Sequence, residues 1–185
     1  MQTCFMKRDE EESLLILVSE KVIPIYAKGY FTIARNGKGL FISTFYYYDK
    51  EGYYASLDKE KIKEEKEKLK ENMQYYLNQE TLRINRRRVD EKVSKVEINL
   101  LSVNYPMIDF YITFKARLKL GYNLYEDIYE NEITEYPFEA IYVFPGKILS
   151  AKIRGKVSIK DNIAIVKVKK GMKTGKREIF AFRVI

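Results

Sequence analysis

The chain has 185 residues, of which 46% are hydrophobic and 32% charged, a balance typical of a soluble globular protein. Histidine is absent, which excludes Ser-His-Asp and Cys-His catalytic systems and zinc centres that depend on imidazole. The single cysteine, Cys4, cannot form an internal disulfide, and the longest apolar run, residues 14–18, is too short to span a bilayer. We therefore expect a cytoplasmic protein, and its lysine-, glutamate- and isoleucine-rich composition is thermophile-like.

The first quarter of the chain is predicted to form strands. Residues 14–19 and 22–28 are short apolar runs rich in β-branched side chains, and Pro24 favours an edge position or a bulge in the second run. Asn36-Gly37 is the dipeptide most typical of a two-residue hairpin turn. We therefore expect the strands on either side of this dipeptide to pair with each other.

Five tyrosines lie on both sides of an Asp-Lys-Glu-Gly turn. On a strand, Tyr46 and Tyr48 share one face and Tyr47 lies on the other, so the three rings cannot form a single platform. If the chain turns back here, Tyr53 and Tyr54 fall beside Tyr48 and Tyr47 as cross-strand aromatic pairs. Because the stretch holds two acids and one base, we expect a structural role, or an interface for another protein chain, instead of a platform for nucleic-acid bases.

One amphipathic helix is predicted at about residues 57–78, with Ser56 or Asp58 as its N-cap. Its apolar positions recur at helical spacing on a narrow face: Ile62, Leu69, Met73 and Tyr76. The rest of the segment alternates acidic and basic residues, which is typical of a solvated helix surface. We therefore expect this helix to lie on a sheet with one face.

The remainder of the chain is predicted to be β-structure. Apolar and polar residues alternate over residues 107–121, which predicts a long antiparallel strand with Ile112 and Phe114 buried. Gly121 is expected to turn that strand towards residues 124–134. Further strand-like runs follow at residues 138–144, 148–153, 157–159, 163–168 and 179–184. The predicted class is α+β, predominantly antiparallel β with meander, sandwich-like or barrel-like sheets and one main helix.

Positive charge is concentrated in the last fifth of the sequence. Residues 147–185 contain twelve bases and two acids, whereas the net charge of the whole chain is +8. This asymmetry predicts a β-rich body at residues 1–146 and a basic β segment at residues 147–185. The basic segment either forms a subdomain or continues the same sheet, and a single compact domain is also open. The charge favours an anionic partner, nucleic acid or another polyanion.

The densest basic stretch is predicted to be a hairpin tip that contacts phosphates without reading bases. The candidate anion-binding residues are Lys167, Lys169, Lys170, Lys173, Lys176 and Arg177 there, with Arg86 and Arg88 as a second cluster. Solubility or protection of a sheet edge would explain the lysines equally well. Pairing with nearby acids is the alternative for the arginines. The stretch is not a P-loop, since three residues separate its glycines where the motif needs four. No cofactor motif is found.

An acidic segment, residues 126–139, raises the question of a metal site. Glu126, Glu130 and Glu132 are at even-numbered positions, on one face of a strand, and could hold Mg²⁺ or Mn²⁺ in a nuclease without histidine. With a turn near Gly121, the same glutamates are expected to face basic residues of the preceding strand: Lys115, Arg117 and Lys119. We expect these ion pairs, and therefore no metal, at this position.

The sequence therefore favours a non-enzymatic binding module that engages nucleic acid through its basic C-terminal β surface. The alternative is a structural or assembly protein that self-associates through sheet edges and tyrosine-rich faces as a homo-oligomer. A carboxylate-metal nuclease is the third hypothesis.

Overall fold

The computed structural model describes residues 22–185, and the strand predicted at residues 14–19 lies outside them. Strands β1 (Val22–Ile33) and β2 (Lys38–Asp49) form the hairpin predicted around Asn36-Gly37. Gly37 has a φ of 81°, in the left-handed region that favours glycine. The register of β1 against β2 shifts between Pro24 and Tyr26. Pro24 therefore lies at a bulge, as predicted, because proline has no N–H to donate to the ladder.

The chain does not return as a strand after β2. It forms a short helix, α1 (Tyr53–Ser56), so the prediction that Tyr53 and Tyr54 pair across a hairpin is wrong. The cause is local: the buried Asp49 carboxylate accepts a hydrogen bond from the Tyr54 N–H at 3.0 Å, and the Tyr54 side chain is buried. These contacts favour a helical turn over an extended return.

The main helix, α2 (Lys59–Gln79), confirms the prediction for residues 57–78. Asp58 is its N-cap and accepts a hydrogen bond from the Lys61 N–H at 2.9 Å. The buried face is rotated about the helix axis relative to the predicted face. It contains Glu65, Leu69, Met73 and Leu77, whereas Ile62 and Tyr76 are only half-buried.

Seven strands form the large sheet, in the order β10-β11-β8-β1-β2-β6-β5. Its remaining members are β5 (Glu91–Ser102), β6 (Tyr105–Lys115), β8 (Phe138–Val143), β10 (Lys156–Lys160) and β11 (Ile163–Val168). All neighbours are antiparallel except β1 and β8, which are parallel. Helix α2 lies against β5, where the Gln74 side chain accepts from the Val93 N–H and donates to the Glu91 carbonyl.

Five strands form the small sheet, in the order β4-β3-β7-β12-β9, and all its neighbours are antiparallel. The strands are β3 (Thr81–Ile84), β4 (Arg87–Arg88), β7 (Gly121–Ile128), β9 (Lys147–Lys152) and β12 (Arg177–Val184). Residues 147–185 therefore contribute two strands to each sheet. Among the described strands, the first and last strands of each sheet do not pair with each other, so neither sheet closes into a barrel. The two sheets pack against each other as two layers.

The long strand predicted at residues 107–121 is shorter than expected. Ile112 and Phe114 are buried as predicted, but β6 ends at Lys115. The Asn123 side chain accepts a hydrogen bond from the Lys119 N–H at 3.0 Å and donates one to the Lys119 carbonyl at 2.7 Å. These bonds hold a turn that carries the chain into the other sheet. The predicted pairing of residues 107–121 with residues 124–134 is therefore wrong, since β6 and β7 belong to different sheets.

Aromatic side chains fill the space between the two sheets. The large sheet contributes Phe31, Phe114 and Tyr142, the small sheet contributes Tyr125, Phe180 and Phe182, and Phe144 follows β8. The ring centroid of Phe31 lies within 5.8 Å of the ring centroids of four of these residues: Phe114, Tyr125, Tyr142 and Phe144. Edge-to-face and offset contacts of this kind add to the stabilisation from burial.

Gly39 gives a test of this packing. It lies directly opposite Phe114 across the β2–β6 ladder, and a Cβ added at Gly39 would overlap the Phe114 ring. We predict that Gly39→Ala lowers the free energy of unfolding by about 1–3 kcal/mol, the usual cost of overpacking. Urea unfolding should show that this penalty disappears in a Phe114→Ala background. An equal penalty in both backgrounds would mean that the ring does not occupy this position.

Candidate anion-binding surface

The outer face of the large sheet consists of the alternate strand residues that point away from the small sheet. Along β1 the inward residues Phe31 and Ile33 are buried, so Tyr26, Lys28, Tyr30 and Thr32 point outwards. One cross-strand row through the centre of this face is apolar and aromatic: Ile165, Ile141, Tyr30, Ile42 and Tyr111. All five are half-buried or exposed, so this row is open to solvent.

Lysine is the main charged residue of the outer face. By register, eight lysines point from it: Lys28, Lys38, Lys92, Lys95, Lys115, Lys156, Lys160 and Lys167. Three acids share it: Glu97, Asp109 and Glu139. Two pairs of lysines lie directly opposite each other, Lys156 with Lys167 and Lys38 with Lys115. Like charges in these positions destabilise a sheet, so an anion bound between them would be favoured.

The acids of the outer face have cationic or hydrogen-bonding neighbours. Glu139 contacts Lys167 at 3.0 Å and Lys28 at 3.6 Å, and the hydrogen bond from Lys167 is the main cause that lowers the Glu139 pKa. Glu97 contacts Lys66 and Lys95, whose hydrogen bonds lower its pKa to about 2. Within residues 22–185, the resolved ion pairs leave Lys38, Lys156 and Lys160 without an acidic partner.

Of the candidate residues predicted from the sequence, Lys167 lies on the outer face. Lys169, Lys170, Lys173 and Lys176 lie in the segment that connects β11 of the large sheet to β12 of the small sheet. The predicted hairpin tip is therefore wrong. This segment is hydrogen-bonded to residues 129–134: the Thr134 N–H donates to the Met172 carbonyl and the Thr174 N–H to the Glu132 carbonyl.

The same hydrogen bonds decide the neighbours of the acidic segment. Glu130 and Glu132 follow the end of β7 and run beside the lysines of the 169–176 connection, where Ile133 bridges to Lys173. The predicted ladder of these glutamates against Lys115, Arg117 and Lys119 is therefore wrong. The four lysines of the connection therefore lie near two glutamates, whereas the eight lysines of the outer face share it with three acids.

The arginine candidates lie on the small sheet. Arg177 forms an ion pair with the buried Glu126. Arg83 on β3 lies opposite Arg88 on β4 and opposite Glu126 on β7. Arg86 has a φ of 66° in the turn between β3 and β4, so it does not share a strand face with Arg88 as predicted. Among the described residues, no group of three or more metal-ligating side chains is arranged to hold an ion.

The tyrosine-rich stretch divides between core and surface. Tyr47 is buried. The ring centroids of Tyr48 and Tyr105 are 5.6 Å apart at the end of the large sheet. Tyr46 is on the outer face, 5.8 Å from Tyr26. Three other outward tyrosines were not predicted from the sequence: Tyr26, Tyr30 and Tyr111. The two-residue period along β1 would have placed Tyr26, Lys28 and Tyr30 on one face, but not which strands lie beside them.

A cluster of carboxyl groups is buried at one end of the small sheet. Glu178 lies opposite Asp127 and accepts hydrogen bonds from the Tyr129 and Tyr142 hydroxyls, at 2.9 and 2.7 Å. Burial raises the pKa of Asp127 to about 6, with Glu178 adding to the shift. Burial, reinforced by Asp127, raises the pKa of Glu91 to about 8 and that of Glu80 well above its usual range.

Comparison with known proteins shows only distant similarity. No protein-family model matches the chain, and no curated protein matches it. The folded domain of LppM from Mycobacterium tuberculosis is similar at 11% identity and a TM-score of 0.47, covering 86% of this chain and 90% of that one. An M1 zinc metallopeptidase from Deinococcus radiodurans is similar at 8% identity and a TM-score of 0.38, covering 88% of this chain and 42% of that one. Neither described helix, within residues 22–185, has the length and hydropathy that a membrane span requires.

The buried carboxyl cluster predicts how stability changes with pH. Because the folded-state pKa values of Glu80, Glu91 and Asp127 are raised, the folded protein binds more protons than the unfolded chain between about pH 4 and pH 8. The free energy of unfolding should therefore fall as pH rises from 5 to 8.5, by at least about 1 kcal/mol. Urea unfolding at the two pH values measures this change.

Two variants serve to check the assignment. Glu91→Gln removes one titrating group of the cluster and should flatten the pH dependence, while Glu130→Gln, an exposed glutamate outside the cluster, should leave it unchanged. A pH dependence that is the same in Glu91→Gln as in the natural sequence would exclude Glu91 as its source.

Proposed function

We propose that this protein binds nucleic acid through the lysines of the outer face. The observation that supports the proposal is the register of the large sheet. It aligns lysines of β10 and β11 with Lys28 on β1, and it puts Lys38 and Lys115 at the same surface. A surface with more lysines than acids suits contacts to successive phosphates, and such contacts do not depend on base sequence.

The outer face is a better candidate than the 169–176 connection predicted from the sequence. The lysines of the connection lie beside Glu130 and Glu132, and its backbone is tied to residues 129–134 by hydrogen bonds. Lys156 and Lys160, in contrast, project from an edge strand and lie opposite Lys167 and Ile163.

Self-association is the second candidate function, and it is supported by a different region. Apolar side chains are exposed at the end of the large sheet where β5 turns into β6: Leu100, Leu101, Val103 and Tyr105, with Ile23 nearby on β1. Exposed apolar groups of this kind are typical of protein interfaces. Sedimentation velocity over a range of concentrations separates this candidate from nucleic-acid binding, because self-association would persist in high salt.

The proposal predicts that three substitutions on the outer face weaken polynucleotide binding. Replacing Lys38, Lys156 and Lys160 with glutamine removes charges that lack acidic partners among residues 22–185. The slope of log K against log salt concentration should flatten by roughly 0.7–0.9 for each phosphate that the variant no longer neutralises. Fluorescence anisotropy with a labelled oligonucleotide at several salt concentrations measures both affinity and slope.

A matched variant controls for net charge. Lys119, Lys147 and Lys152 are exposed and lie outside the large sheet, the first in the turn before β7 and the other two on β9 of the small sheet. Changing them to glutamine alters the net charge by the same amount. This control should bind with the affinity and slope of the natural sequence. Equal reductions in affinity in both triple variants would contradict a specific role for the outer face, and so would unchanged binding in the outer-face variant.

A further inference from the structure

The apolar row of the outer face contains two tyrosines at the centre of the lysine-bearing surface. Tyr30 on β1 and Tyr111 on β6 are each opposite Ile42 on β2, which lies between them. Two strand spacings therefore separate their backbones, about 10 Å. Tyr30 is 39% exposed although its strand is central in the large sheet, and Tyr111 is half-buried.

Neighbouring side chains support both rings. Tyr30 lies between Ile141 on β8 and Ile42 on β2, so branched apolar side chains border its ring on both sides. The Lys95 ammonium lies 5.9 Å from the centre of the Tyr111 ring, a cation–π contact. Rings supported in this way lose little side-chain freedom when a ligand stacks on them.

Charged side chains border the aromatic row on both sides. On one side the next outward row contains Lys28, Lys156 and Lys167 together with the three acids of the outer face, Glu97, Asp109 and Glu139. On the other side Lys92 and Lys160 occupy the two ends of the row. A second aromatic position lies beyond the first of these rows, where Tyr26 and Tyr46 pair across β1 and β2. Rings interleaved with lysines in this way match a strand whose bases and phosphates alternate.

Single strands fit this arrangement better than duplexes. Stacking on a side-chain ring requires the face of an unpaired base, and in a duplex these faces are covered by the neighbouring base pairs. A sheet face is also too broad to enter a groove of B-DNA, which admits a helix or a two-stranded ribbon.

We propose that the outer face binds single-stranded nucleic acid by stacking unpaired bases on Tyr30 and Tyr111, with the flanking lysines holding the phosphates. This inference rests on the proposed function, because it assumes that the lysines contact phosphates. It adds the class of ligand and the residues that select it.

The test compares single-stranded and duplex oligonucleotides of the same length and label. The natural sequence should bind the single strand more tightly. Tyr30→Leu and Tyr111→Leu should each weaken single-strand binding by roughly 5-fold or more, the usual effect of removing one stacking ring, and leave duplex binding and the salt slope unchanged. Circular dichroism checks that each variant is folded, and Tyr30→Phe and Tyr111→Phe, which keep the ring, should bind normally.

Tyr75→Leu is the matched control, since Tyr75 is an exposed tyrosine on α2. If the leucine variants bind single strands normally while the lysine variants do not, base stacking is wrong and phosphate binding stands. If the natural sequence binds neither oligonucleotide, both proposals fail. If it binds neither but self-associates through this face, the occupant is a second copy of the chain, and the inference is overturned.

Discussion

Phe31 is buried between the two sheets, and its position fixes which side chains of β1 reach the outer face. Its ring contacts Phe114 from the large sheet, Tyr125 from the small sheet and Phe144 beyond β8, so it joins both layers. Because side chains alternate along a strand, burying Phe31 commits Lys28 and Tyr30 to the opposite face. A slip of one residue would exchange the two sets and expose the core. The composition of the outer face is therefore a consequence of how the core is packed.

The parallel pairing of β8 with β1 has the largest consequence for the candidate site. It inserts residues 138–143 beside the first hairpin and brings β10 and β11 into the same sheet. Basic residues near the end of the sequence thereby share a surface with tyrosines near its beginning. Tyr30 and Lys167 are far apart in the sequence, but in the sheet they lie in adjacent rows of outward side chains.

Local signals in the sequence predicted the local parts of the fold. The Asn36-Gly37 hairpin, the Pro24 bulge, helix α2 with its Asp58 cap and the burial of Ile112 and Phe114 depend on neighbouring residues, and all were predictable. Two of the wrong predictions involve side-chain hydrogen bonds that no pattern of apolar residues encodes. The Asp49 carboxylate accepts from the Tyr54 N–H where the chain becomes helical, and the Asn123 side chain holds the turn that leads to the second sheet. Of the predicted site, Lys167 is on the outer face. Tyr30 and Tyr111 were missed because strand order, which no local pattern encodes, brings them together.

The proposed function requires nucleic acid to bind the outer face of the large sheet. Chemical-shift mapping of backbone amides during titration with a single-stranded oligonucleotide tests it most directly. We expect the largest shifts at outward positions of β1, β2, β8 and β11, including Tyr30, Ile42, Ile141 and Lys167, and we expect their size to decrease with added salt. Shifts confined to the 169–176 connection or to the arginines of the small sheet would contradict it, as would a spectrum that does not change.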